Sequence, residues 1–320
     1  MGRLIGLKLL SLIPVLLAVS FLTFLMLSLL PGCVECQIVG PDNATPEALA
    51  AVRDDLGLDD PLPVRYAGWL GDAVTGDLGR SYISRQEVTD AIAERLPVTA
   101  EIVVLSMAMA LAISIPLGMV TSYRAGGVFD RVTTGATFGM LAVPSFMMAL
   151  LLIYLFAEQL GWFPATGWTY LTENPVDNLR SAFMPALSLA LVNVAVFTRL
   201  LRSDMIATLQ EDHVMLAKAK GLPTWRILTR HALRPSSFSL LTVSALTVGN
   251  LLGGAVIVEQ LFALPGIGRL LFDAIFRRDL MVVQGVVLVI TTGFVVINGL
   301  VDILYSVLDP RIRQRVRARG

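Results

Sequence analysis

Charge is what this sequence lacks most. Of its 320 residues only 16% are charged while 55% are hydrophobic, against about 25% charged in an ordinary soluble domain. That shortfall excludes a soluble globular protein of usual composition. Lysine is nearly absent, with Lys8, Lys218 and Lys220 standing against 22 arginines. None of the three follows a glycine, so the chain has no Gly-rich turn ending in Gly-Lys-Ser/Thr. ATP hydrolysis within this polypeptide is thereby excluded. Acidic and basic residues balance at 25 each, so net charge points to no partner. No basic face interleaves with aromatics, which leaves nucleic-acid binding without support. Histidine is limited to His213 and His231, and cysteine to Cys33 and Cys36. A Cys-x-x-Cys pair needs further ligands to hold a metal, and both histidines are predicted on the opposite side of the membrane, so no metal site is expected. For Cys33 and Cys36 a disulfide, two idle thiols and a redox pair all stay open. Neither repeats nor low-complexity segments occur.

What is present is long apolar sequence. Six stretches are free of charge or nearly so: Leu9–Val34, Ile102–Tyr123, Val132–Ala157, Ser181–Thr198 (extended by Leu200 and Leu201 past Arg199), Ser236–Val258 and Leu280–Val301. Each is long enough to cross a hydrocarbon core of about 30 Å at about 1.5 Å per residue. Only helices satisfy backbone groups inside such runs. The first run far exceeds the roughly 7–15 residues of a signal-peptide core, so it is predicted to anchor rather than be cleaved. The expected fold class is an all-α membrane protein with about six transmembrane helices. Arginine and lysine placement sets its orientation. With the N-terminus inside, the inner segments carry 16 basic residues and the outer ones 9, which predicts both termini in the cytoplasm.

The outer segment 31–97 holds 12 acidic and 5 basic residues. Thr45-Pro46-Glu47 reads as a helix start closed by Gly57, with Leu49, Val52 and Leu56 as its apolar stripe. A second helix is predicted through Tyr66, Trp69, Leu70 and Ala73. Ser84 and Glu87 make a capping box for a third, with Val88, Ile92 and Leu96 on one face. Three short amphipathic helices therefore form a small extracytoplasmic cap, which packs on the bundle or also meets a soluble partner.

Polar residues within the spans are few. Asn193, Asn250 and Asn298 each lie deep in one, where they bond between helices or line a substrate path. Gly249, Gly253 and Gly254 permit close helix approach. Prolines 116, 144 and 185 predict kinks. No span contains the internal acid–base pair that proton-coupled carriers use; Glu101, Asp302 and Asp309 lie at span ends.

The largest inner loop, 203–235, is predicted to hold two short helices with a sharp bend. The first runs from Glu211-Asp212 to Lys218-Ala219-Lys220, with acids at its front and lysines at its back as the helix dipole favours. Val214, Ala217 and Ala219 offer a small-residue surface suited to a partner's groove. Gly221 is placed as its C′ residue and Pro223 as N1 of the next helix, which carries Trp225, Ile227, Leu228 and Ala232 and stops before Pro235.

This loop resembles the "EAA" loop of binding-protein-dependent ABC importer permeases. The dipeptide/oligopeptide branch carries a pattern similar to Asp212-His213-Val214, Ala217-Lys218-Ala219-Lys220-Gly221-Leu222 and His231-Ala232-Leu233-Arg234, although His213 stands for its usual tyrosine and Pro235 for its usual asparagine. The same branch is similar over Leu12-Ile13-Pro14 through Leu29-Leu30-Pro31-Gly32, Asp77-Leu78-Gly79-Arg80-Ser81 and Arg95-Leu96-Pro97-Val98-Thr99. It is similar again over Glu259-Gln260-Leu261-Phe262, Pro265-Gly266-Ile267-Gly268-Arg269-Leu270-Leu271 and Asp309-Pro310-Arg311. Cys33 and Cys36 do not belong to the pattern.

The resemblance implies a type I ABC importer permease fold in the cell (inner) membrane. The implied division is an N-terminal transmembrane helix over 1–34, the extracytoplasmic helical loop over 35–97, the permease core over 98–308 and a cytoplasmic tail over 309–320. It implies a second homologous permease subunit, two ATPase subunits or domains that bind the ATP and Mg, and an extracytoplasmic substrate-binding protein. No catalytic residue and no cofactor are expected in this chain. Coupling to the ATPases is assigned to Asp212, Ala217, Ala219, Lys220 and Gly221. Dipeptides or oligopeptides are the expected cargo, with nickel complexes, glutathione and haem as alternatives. A stand-alone channel or ion-coupled carrier, which would move substrate without an ATPase, and a membrane receptor or scaffold are the rival classes.

Overall fold

The computed structural model describes residues 13–25, 39, 45–55, 57 and 59–308. Cys33, Cys36, Leu56 and the tail 309–320, with its Asp309-Pro310-Arg311, lie outside the described residues. Secondary structure among the described residues is helical: α1 Ile13–Leu25, α2 Pro46–Asp55, α3 Leu62–Thr75, α4 Val88–Tyr123, α5 Val128–Ala142, α6 Ser145–Gln159, whose last turns are π-helical, α7 Pro175–Thr208, α8 Asp212–Ala219, α9 Thr224–Leu261, α10 Ile267–Arg277 and α11 Leu280–Leu308. Helices α4, α7, α9 and α11 contain stretches long and apolar enough to cross a membrane.

The stretch 132–157, expected as one span kinked at Pro144, breaks there. It is two helices, α5 and α6, bent by 105°. Pro144 is the cause: it forces the residue before it out of the helical region, and Val143 sits at φ −101°, ψ 122°. The third short cap helix does not exist as a separate element either. Val88 opens α4, which continues through Pro97 to Tyr123. Ser84 is not its cap; the chain reaches α4 through an antiparallel bridge between Arg80 and Glu87. Val88 and Ile92 are buried as expected, whereas Leu96 is exposed.

The fold divides into two compact units, one comprising the described residues up to Pro97 with Arg269–Val296, the other Val98–Gly268 with the described residues from Ile297. In the first, α3 turns Tyr66 and Trp69 onto α1. The Tyr66 hydroxyl is 2.7 Å from Ser20 Oγ, and its ring meets Phe21 edge-on at 5.2 Å. The turn after α3 is fixed by Asp77, which accepts the Gly79 N–H at 2.8 Å, and by Ser81, whose hydroxyl donates to buried Asp279. Gly285 of α11 leaves room for Val88: a Cβ there would lie 2.6 Å from Val88 Cγ1.

In the second unit α7 is the central helix, with 67% of its span buried. Asn174 caps it by accepting the Val176 N–H at 3.0 Å. Helices α5, α6 and α9 pack on it. One core joins Ile102 and Val103 of α4 to Met184 and Leu189 of α7 and Val258 of α9; a second joins Phe197, Leu201 and Met205 of α7 to Ala110 and Leu240. Pro185 lies within α7.

Candidate functional site

The segment between α7 and α9 forms a small folded hook. Helix α8 carries Asp212 in its first turn and Lys218 in its last, both favourable to the helix dipole. It ends in a Schellman motif: Gly221 N–H donates to Lys218 O at 2.9 Å and Leu222 N–H to Ala217 O at 3.3 Å. Gly221 sits at φ +72°, a conformation that L side chains avoid. Its predicted place as C′ residue is the observed one. Pro223, expected at N1, is the N-cap of α9, at φ −65° and ψ 143°.

Helix α9 does not stop before Pro235. It runs from Thr224 to Leu261 through a π-helical stretch at Ile227–Ala232. The wider turn makes room for the proline ring, which an α-turn would press against the carbonyl one turn back. Thr229 Oγ1 donates to the Trp225 carbonyl at 2.8 Å inside this stretch.

Helical spacing divides α8 into two faces. Val214 and Ala217 point inward and form a small core with Ile227, supported by Leu209 and Leu222. Ala217 is only 5% exposed, so it is covered by the loop's own packing and is not an open contact surface. The outward face carries Asp212, Met215, Leu216 and Ala219. Met215 and Leu216 are more than half exposed, and Trp225 of α9 is 71% exposed. The hook is fastened at its base by a buried hydroxyl pair, Thr208 and Ser236, 3.0 Å apart.

Two further ties were not legible as sites. Arg202 of α7 meets buried Asp130 of α5 in a two-pronged pair, Nε to Oδ1 at 2.5 Å and Nη2 to Oδ2 at 2.7 Å. Asp130 also accepts the Gly126 N–H at 2.8 Å. At the far end of α9, Glu259 is fully buried. Thr99 Oγ1 donates to it at 2.6 Å and accepts the Ile267 N–H at 2.9 Å. Gly266 and Gly268 leave the space this carboxylate fills. The signal was present as the residue types of Glu259 and Pro265-Gly266-Ile267-Gly268, but their pairing with Thr99 was not.

The three span asparagines are not brought together. Asn193 Nδ2 donates to the Leu189 carbonyl of its own helix at 2.9 Å, so that contact does not join helices. Asn250 is exposed on α9 in a stripe with Leu246, Gly253 and Ile257, and Asn298 is half-buried on α11. Among the described residues no cluster of three or more histidine, cysteine, aspartate or glutamate side chains has the geometry to hold a metal ion.

Comparison with known proteins identifies the family to which this arrangement of long apolar helices belongs. The profile of the family described as "Binding-protein-dependent transport system inner membrane component" matches residues 114–314, and the N-terminal profile of such membrane components matches residues 1–103. A putative peptide transport system permease protein of Brucella abortus (strain 2308) is 44% identical over 301 residues, covering 94% of this chain and 96% of the relative. A dipeptide transport system permease protein of Alkalihalophilus pseudofirmus is 34% identical, covering 96% of this chain and 98% of its own. A glutathione transport system permease protein of Escherichia coli O6:H1 is 35% identical with the same coverage. The chain belongs to the family of inner-membrane permease components of binding-protein-dependent ABC transport systems, and it is a non-catalytic membrane subunit of type I permease fold.

Proposed function

We propose that this chain forms half of the translocation pathway of an ATP-driven importer for dipeptides or oligopeptides. The observation that carries the reading is the outward face of the hook. Met215, Leu216 and Trp225 are large apolar side chains exposed on a loop between spans, where an uncovered patch marks a docking surface. The chain has no phosphate loop, so the docked partner supplies the ATP hydrolysis. Two ATPase subunits or domains holding ATP and Mg, a second homologous permease and an extracytoplasmic substrate-binding protein complete the assembly. The 203–235 loop and both termini then face the cytoplasm, and the permease core spans 98–308 behind a cap at 35–97.

In this reading Asp212 and Ala219 lie on the docking face beside Met215 and Leu216. Ala217 acts from beneath by keeping α8 close to Ile227. Gly221, next to Lys220, makes the bend that turns partner motion into motion of α7 and α9. Asn250, a polar group on the open face of a span, is the residue assigned to the substrate path, since lipid offers its amide no partner.

The cargo assignment follows the peptide permeases named above. Reconstitution of the four-component assembly in proteoliposomes tests it: ATP-dependent uptake of labelled di- and oligopeptides is expected, and Met215→Asp is expected to release the ATPases while leaving the permease pair intact. Uptake of glutathione, a nickel complex or haem in place of peptides reassigns the cargo. Transport by the permease without ATPases overturns the importer reading, and a complete complex that binds partners without moving solute leaves a scaffold.

A further inference from the structure

The hook contains a substitution of one hydrogen-bond donor for another. Pro235 has no N–H, so the carbonyl four residues earlier in α9, that of His231, lacks its α-helical donor. His213 Nε2, on α8, stands 3.3 Å from that oxygen. Since a carbonyl only accepts, the contact places the ring proton on Nε2. On the other side of the same ring, Glu211 Oε2 is 3.1 Å from Nδ1. The Nε2 edge thus ties the imidazole to the proline-opened turn of α9, and the Nδ1 edge bonds Glu211, at the N-cap of α8, when the ring is protonated. His213 and Pro235 are also the two positions at which the chain departs from the family pattern noted above. The structure brings both departures to one contact.

We propose that His213 is a positioning residue of the hook: its Nε2–H replaces the backbone N–H that Pro235 removes, and in doing so latches α8 to the π-helical opening of α9. The small core of Val214, Ala217 and Ile227 sets the distance between the two helices; the latch sets their rotation. Apolar packing is indifferent to small rotations, whereas a hydrogen bond weakens steeply with angle. The latch therefore fixes how Met215 and Leu216 of α8 are turned relative to Trp225 of α9. The proposal rests on the importer reading only for its functional consequence, since the contact itself is a property of this chain.

The test is a double-mutant cycle in the complete reconstituted complex, with His213→Ala, Pro235→Ala and the pair. Pro235→Ala restores an N–H to the His231 carbonyl without altering α8. In the Pro235 background, His213→Ala is expected to lower solute moved per ATP hydrolysed by about fivefold, the order of one lost hydrogen bond. In the Pro235→Ala background the same change is expected to cost less than about twofold. His213→Gln, which keeps a side-chain donor, is expected to retain most of the wild-type ratio. Equal losses in both backgrounds overturn the proposal. The unfolding midpoint of each variant is read on the same samples. If no variant, wild type included, moves solute with ATP, the importer reading fails by itself. The latch then stands if His213→Ala lowers the midpoint more before Pro235 than before alanine, and falls if the two shifts are equal.

Discussion

Gly268→Ala is the sharpest test of how the first residues of α10, Ile267 and Gly268, are seated on α9. A Cβ built on Gly268 lies 2.4 Å from Val256 Cα and 3.0 Å from Glu259 Oε2. Carbon atoms pack at about 3.5–4.0 Å, so the methyl overlaps its neighbour by more than 1 Å. That neighbour is backbone inside a long helix and cannot rotate away. The start of α10 must lift instead. Lifting it separates the Ile267 N–H from Thr99 Oγ1, the atom that also donates to the buried Glu259 carboxylate. Overpacking costs about 1–3 kcal/mol, and losing the neutral Ile267 N–H to Thr99 bond costs about 0.5–1.5 kcal/mol more. The sum corresponds to a fall in the unfolding midpoint of roughly 5 °C. The assay is thermal unfolding of the purified complex followed by tryptophan fluorescence. Gly71→Ala is the matched control, because a Cβ on Gly71 meets nothing within 4 Å, and alanine at a helix position is neutral or stabilising by up to about 1 kcal/mol. If Gly268→Ala unfolds within about 1 °C of that control, the close approach of Gly268 to Val256 is not as described and the reasoning fails.

Two further substitutions probe the hook and its root. Gly221→Val meets no steric obstacle, since nothing lies within 4 Å of its Cβ position; its cost is conformational, about 1–2 kcal/mol for forcing a left-handed φ on an L residue. ATP hydrolysis is expected to persist while uptake falls, and normal uptake in vesicles removes Gly221 from the coupling assignment. Asp130→Ala strips Arg202 of both contacts and is expected to destabilise by about 1–3 kcal/mol, below the figure for a fully buried pair because the Arg202 side chain is 30% exposed. An unfolding midpoint unchanged from wild type refutes a structural role for the pair.

Much of the helical architecture was written in charge-free sequence, because a long run without charge has few alternatives to a helix in a membrane. Left-handed glycines were also legible: Gly57 and Gly221 both adopt φ above +50°, where a glycine following a helix is the expected residue. Pro144 announced a kink, but the size of the bend was not legible. The run around Pro144 is apolar on both sides of a 105° bend, and hydropathy carries no information about angle. Pro235 misled for a related reason. Proline removes a donor, but whether the helix ends or widens depends on what else reaches the freed carbonyl, and His213 lies 22 positions away in sequence. Ala217 shows the limit for the candidate site. A small residue on a short helix reads equally as a docking face or as an inward contact, and only the position of Ile227 decides.

Coupling in this chain becomes a question of which helices must move together. Helix α7 has 34 residues, about 51 Å of continuous rod. Its last turn carries Thr208, fastened to Ser236 just past the π-helical stretch of α9, and about one and a half turns earlier Arg202, fastened to Asp130 of α5. A load on α8 therefore meets α7 and α9 through a buried hydroxyl pair and α5 through a charged one, before any flexible segment intervenes. Packed helices change arrangement as units rather than by gradual deformation. On the importer reading, displacement of the hook is delivered to three helices at once. The clasp of Glu259, Thr99 and Ile267 at the other end of α9 ties the same motion to α4 and the start of α10. On that reading the work enters at the loop and travels through side chains that the structure holds within hydrogen-bond distance.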